Sequence, residues 1–205
     1  MDAATLLRGA LIGFSIAAPV GPIGVLCIRR TLADGRAHGF VSGLGAATAD
    51  AVYGSVAAFG LTFVSGFLVS QQPWLRLVGG AFLCYLGVKT FLARPAERAA
   101  AAGGGGLASA YISTLFLTLT NPTTILSFAV IFAGLGLGGA AGNYAAAAVL
   151  VLGVFLGSAS WWLILSGGVA PLRAQFGSSG LGWVNRLAGI IIAGFGAIAL
   201  LGLKS

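Results

Sequence analysis

The chain has 205 residues, 58% hydrophobic and 7% charged, with a formal net charge of +7. A soluble domain carries roughly a quarter charged residues, so this composition excludes a water-facing globule and indicates an integral membrane protein. The basic residues are scattered at the ends of apolar runs, which excludes a nucleic-acid-binding patch and leaves orientation in the bilayer as their role.

The N-terminal stretch MDAATLLRGALIGFSIAAP ends in small residues but lacks a basic leading segment, and its apolar run continues past two prolines. It reads as a retained first helix, about Thr5–Ile28, rather than a cleaved signal. Within it lies APVGP, residues 18–22. Proline inside a helix removes one hydrogen bond and clashes with the carbonyl four residues back. At the first position of a new helix its missing N–H costs nothing. Gly21-Pro22 therefore predicts a helix that stops and restarts inside the span.

The second predicted span, about Gly39–Val69, carries Asp50, the only acidic residue deep in any predicted span. Gly39, Gly43, Ala46, Asp50 and Gly54 follow helical spacing, and so small a face suits packing against other helices. The third span is about Trp74–Leu92. After the linker AAAAGGGG, the fourth runs about Leu107–Gly134 and is interrupted by Asn121-Pro122. Asparagine is among the best N-caps, so this is a second restart. Thr114, Thr118 and Asn121 share one face, and Thr120, Thr124 and Ser127 the next. A polar stripe around a break predicts a lined cavity, although helical threonine also bonds its own backbone. The fifth span is about Tyr144–Ser166, with Trp161 and Trp162 read as an interfacial belt. The sixth is about Trp183–Leu203.

Arg29, Arg30 and Arg36 fall between spans one and two, Lys89, Arg94 and Arg98 around the third connection, and Arg173 between five and six. The other two connections hold no Lys or Arg, so the basic ones are expected in the cytoplasm and both termini outside. His38, beside Arg36, is expected to be solvated.

The halves of the chain echo each other. Gly21-Pro22 matches Asn121-Pro122, and Leu26 matches Leu126. RLVGGAFLCYLG, from Arg76, matches RLAGIIIAGFGA, from Arg186, each with an aromatic at Tyr85 or Phe195. Trp74 and Trp183 open their spans. Three spans per repeat is an odd number, so the copies must lie in opposite orientations. The expected fold is an all-α integral membrane protein with six transmembrane helices in two inverted three-helix repeats, helices 1 and 4 being broken at proline. Residues 1–93 form the first repeat, 94–106 a cytoplasmic Gly/Ala-rich linker, and 107–205 the second repeat.

The amides after each restart, at Ile23, Gly24, Thr123 and Thr124, come before the first intrahelical bond. In lipid each such group costs several kcal/mol, so they are expected to face a cavity or a ligand. Helix starts carry partial positive charge, which makes a carboxylate a natural occupant. A carboxylate at a helix centre costs about 3 kcal/mol on insertion scales, so Asp50 is expected to hold an ammonium, carry a proton, or cap neighbouring groups structurally. Cys27 and Cys84 lack CxxC or metal spacing and read as small buried side chains. No metal or cofactor is expected. Gly39-xxx-Gly43 and Gly153-xxx-Gly157 fit packing within one chain or in a homodimer.

SIAAPVGPIGVLCIRRTLADGRAHGFVSGLGAATADAVYG resembles the N-terminal signature of the LysE-type (LysE/RhtB) exporter family, in its proline break, short basic loop and small-residue helix with aspartate. NPTTILSF resembles the family's Asn-Pro break in its fourth helix, and the likeness spans nearly the whole chain. The resemblance implies not an enzyme but a multi-pass exporter of the bacterial inner membrane for amino acids or related metabolites. It would be driven by the proton or membrane gradient. It gives Pro19, Gly21, Pro22, Asp50, Asn121 and Pro122 a place in the family's candidate central site. Basic-amino-acid exporters of the family commonly continue the first break with Gln-Asn; Ile23 and Gly24 stand there, which tilts the expectation toward a neutral amino acid. Three other readings stay open: a metal-cation exporter, a CcdA-type thiol–disulfide electron carrier and a passive channel. The first wants several converging carboxylates or thiolates. The second wants a partner for Cys27, and the fourth span has no cysteine.

Overall fold

The computed structural model describes residues 3–19, 21–59, 71–92, 106–121, 124, 127–128, 144–175 and 178–202. These hold seven α-helices and no strand: α1 (Ala3–Ala17), α2 (Pro22–Asp34), α3 (Arg36–Ala58), α4 (Gln72–Phe91), α5 (Leu107–Leu119), α6 (Tyr144–Val169) and α7 (Ser178–Leu201). A 3-10 turn, Ala170–Gln175, extends α6. Tyr144–Gln175 and Gly180–Leu201 are long and apolar enough to cross a membrane, and α1 with α2 makes a third such span if the bent pair counts as one.

The first predicted span is two helices whose axes differ by 82°. Pro22 occupies the first turn of α2 behind an extended Gly21, and the first bond of the new helix runs from Val25 N–H to Gly21 C=O at 3.0 Å. The proline thus sits where its missing donor costs nothing. α3 accounts for the second predicted span as far as Ala58; its remainder, residues 60–70, lies outside the described residues. The predicted linker lies outside them too, except for Gly106. α5 stops at Leu119, just before Asn121-Pro122, and beyond that break only Thr124, Ser127 and Phe128 are described, all helical.

The most extensive packing joins α1 to α6, α3 to α5, α3 to α6 and α4 to α7. Glycine sets these approaches. A Cβ on Gly9 or Gly13 would strike the Leu150 or Val154 carbonyl of α6, and one on Gly153 or Gly157 the Leu6 or Ala10 carbonyl of α1. Gly45 of α3 lies in the same way against Tyr111 of α5, and a Cβ on Gly87 of α4 would come within 2.6 Å of the Ala193 nitrogen of α7. Backbones this close maximise dispersion contact where lipid offers no hydrophobic drive. Gly39 and Gly43 lie against Thr31 and Trp162. Both GxxxG pairs are therefore engaged within the chain. Large apolar side chains such as Leu11, Val88, Ile190 and Leu201 line the outside, as lipid contact requires.

One expectation changes at the basic end. Arg29 and Arg30 are not in a solvated loop but inside α2, which continues to Asp34. Only Gly35, at φ +101°, separates α2 from α3, and that conformation favours glycine. Both arginines are folded inward, Arg29 being 3% exposed.

Candidate functional site

A cavity of about 500 Å³ opens between the two helix breaks. From the first break it is lined by Pro19, Gly21, Pro22, Ile23 and Gly24, and from the second by Asn121 and Thr124. Asp50 of α3 forms part of the same wall. Every predicted site residue that is described reaches this one cavity; Pro122 and Thr123 lie outside the described residues.

The two breaks are satisfied differently. At the first, the Ile23 and Gly24 amides precede the first bond of α2 and sit beside the cavity. At the second, the Thr124 amide donates to Asn121 C=O at 3.1 Å. Thr124 was expected to offer an unengaged amide; a tight first turn uses it instead. On the other side of this break, Tyr53 donates its hydroxyl to Leu119 C=O at 2.5 Å. A terminal carbonyl that the interrupted helix cannot satisfy is thereby paired by a side chain one turn from Asp50.

Asp50 is 3% exposed. Its Oδ2 accepts a 2.7 Å hydrogen bond from Ser158 of α6, and the Trp162 indole donates to the same Ser158 oxygen at 3.2 Å. No described arginine pairs with Asp50; the one ion pair among the described residues is Arg29–Asp34 at 3.8 Å. The expected threonine stripe divides. Thr118, Thr120 and Ser127 line the cavity, while Thr114 sits deeper and accepts from Arg30 at 2.8 Å. Thr118 and Thr120 also bond the Thr114 and Phe116 carbonyls, so their hydroxyl hydrogens serve their own helix and their oxygen lone pairs remain for the cavity.

The end of the bundle near Arg29 and Arg30 is packed. Arg29 Nε donates to Asn185 Oδ1 of α7 at 2.9 Å, while its Nη2 is buried without an acceptor. Arg30 ties α2 to Ser42 of α3 and to Ser113, Thr114 and the Ala110 carbonyl of α5, at 2.8–3.0 Å. Toward the far ends of α4 and α7 the cavity is lined instead by Arg76, Ile198 and Gly202.

The LysE type translocator family model matches residues 14–202. The chain belongs to the LysE family. A translocator family moves solutes rather than transforming them, which sets the chain apart from enzymes. "Putative amino acid efflux protein YcgF" of Bacillus subtilis (strain 168) is 27% identical over 191 residues, covering 91% of this chain and 90% of that protein. No solved structure matches the chain.

In this LysE chain, three side chains around the cavity escaped the sequence reading. Ser158 carried no signal beyond its place one turn before a tryptophan. Trp162 was expected in an interfacial belt, yet it is 4% exposed and lines the cavity, because Gly43 of α3 leaves room for its ring. Trp161, half-buried, packs edge-on against Phe14 at 5.4 Å. Arg76 was read only as the first residue of the repeated RLVGGAFLCYLG segment.

Proposed function

We propose that this LysE-family chain is a secondary active transporter of the bacterial inner membrane, exporting an amino acid or related small metabolite by alternating access around the cavity. The observation that carries this reading is the convergence of both helix breaks and a buried carboxylate on one cavity. The name of the Bacillus subtilis relative supports amino acid efflux as the direction and substrate class.

The substrate carboxylate docks on the Ile23 and Gly24 amides, where the start of α2 contributes partial positive charge. Its ammonium sits at Asp50, whose Oδ2 is held by Ser158 while its other oxygen accepts no bond from a described residue. Protonation of Asp50 from outside weakens that contact and favours release, which makes the cycle a proton antiport. Pro22 and Gly21 shape the break; Asn121 and Thr124 supply the opposite wall.

The packed arginine end serves as the closed gate in this conformation, with α2 latched to α7 through Arg29–Asn185 and to α3 and α5 through Arg30. Opening it breaks these hydrogen bonds, which water can replace, and separates apolar packing of α2 at Leu26 and Cys27. The basic residues gathered there, with Arg173 donating to Ala33 C=O, support a cytoplasmic placement of that end and termini outside. Two inverted three-helix repeats fit the packing as well. Exchanging the halves turns the α1–α6 contact into the α5–α3 contact and returns the α4–α7 and α3–α6 contacts to themselves.

A metal-cation exporter has less support, since Asp50 is the one acidic residue among the described residues lining the cavity. A thiol–disulfide carrier has less again: Cys27 is packed in the core and Cys84 lies against α7, its thiol facing Ala193 C=O. A counterflow screen across the amino acids in proteoliposomes tests the proposal. Saturable exchange of at least one, with uphill movement under an imposed proton gradient, is expected. Non-saturable leak of all solutes would indicate a passive pore instead.

A further inference from the structure

The cavity holds a second charged side chain that the proposed cycle does not use. Arg76, in the second turn of α4, lines the wall it shares with Gly79 and Gly80. Its Nη1 donates to Gly202 C=O at 2.5 Å, at the end of α7. A Cβ on Gly202 would come within 3.0 Å of that nitrogen, so the glycine leaves space for the guanidinium. The partial negative charge of a helix C-terminus further favours a cation at this place. Arg76 makes no other hydrogen bond or ion pair with a described residue. A guanidinium carries five N–H donors in a planar fork, so four remain, in the arrangement that grips a carboxylate with two parallel bonds. Lysine could supply the charge but not the fork.

We propose that Arg76 binds the carboxylate of the transported solute, adding a full charge to the partial charge at the start of α2. With Asp50 for the ammonium, the cavity then selects zwitterionic amino acids over amines and over amino acids whose carboxyl is blocked. This assignment rests on the transporter reading above. The competing role is mechanical: Arg76 pins α4 to α7 and extends its head toward the bilayer surface.

The test uses the full chain in proteoliposomes, each of the twenty standard L-amino acids as counterflow substrate, and the α-carboxamide of every accepted one. The wild type should prefer an amino acid to its amide by about tenfold or more in half-saturating concentration, the scale of a charge-assisted hydrogen bond. Arg76→Gln should raise that concentration about tenfold for the amino acid and leave it within about twofold for the amide, collapsing the preference. Arg76→Lys should keep part of it. Gly202→Ala, which displaces the guanidinium without removing its charge, should narrow the preference if Arg76→Gln fails to insert. Equal loss for both solutes, or an intact preference in the variants, overturns the assignment and leaves the transporter reading standing. A wild type that exchanges no amino acid overturns both.

Discussion

Ser158 on α6 donates a 2.7 Å hydrogen bond to Oδ2 of Asp50 on α3, and Trp162 donates to the oxygen of the same serine. A serine hydroxyl has one hydrogen and two lone pairs. Its hydrogen goes to the carboxylate and a lone pair accepts from the indole, so the three side chains form a directed chain. It fixes which oxygen of Asp50 is engaged, in a residue that lines the cavity. Ser158→Ala keeps the volume but removes the donor to a buried charge, a loss of about 1.5–3 kcal/mol. The expected outcome is a lower Tm in detergent and an altered pH profile of flux. An unchanged Tm and profile would mean that Asp50 does not depend on Ser158.

Tyr53 repairs the second break by donating to Leu119 C=O. Tyr53→Phe keeps the ring against Phe128, 5.8 Å away between centroids, and strips only the hydroxyl. A buried carbonyl left unpaired costs about 1–3 kcal/mol. Thermal unfolding in detergent should report that loss, with the protein still inserted and monodisperse. An unchanged Tm would show that the carbonyl finds another donor.

The glycine faces make a prediction about assembly. A methyl group at Gly157 would fall on the Ala10 carbonyl of α1. Gly157→Ala must push α1 from α6, an overpacking cost of about 1–3 kcal/mol. Tm should fall while the oligomeric state in detergent stays the same, because this face is engaged within the chain. A change in oligomer without a change in Tm would contradict the packing described.

The latch at the arginine end can be loosened from α7. Asn185→Ala removes the acceptor of Arg29 Nε, whose neighbouring Nη2 already lacks a partner. Cys27 lies two residues before Arg29 and is 2% exposed. In a Cys84→Ala background, alkylation of Cys27 by N-ethylmaleimide should accelerate when Asn185 is replaced. An unchanged rate would mean that this bond does not hold the end shut.

The features legible in the sequence were those with a strict steric or solvation consequence. Pro22 had either to kink a helix or to begin one, and α2 begins there. Asp50 was too costly in an apolar run to face lipid, and it is buried. Glycines at four-residue spacing had to meet another backbone, although which one only the fold decides. What stayed hidden depends on facing between distant segments. Nothing in a serine at 158 announces a carboxylate 108 positions earlier. The burial of Arg29 and Arg30 depends on the 82° turn that brings α2 under α3, α5 and α7. A charge count along the chain reads the same arginines as loop residues.

In the proposed cycle a solute occupies the cavity between the breaks with its charge balanced at Asp50. Proton-gradient-driven uptake into inside-out proteoliposomes carrying Asp50→Asn, which keeps the shape and deletes the charge, tests it most directly. Gradient-driven accumulation should vanish while the variant remains folded and inserted. Accumulation at the wild-type rate and with the wild-type dependence on the gradient would mean that Asp50 neither balances the solute's charge nor couples its movement to protons.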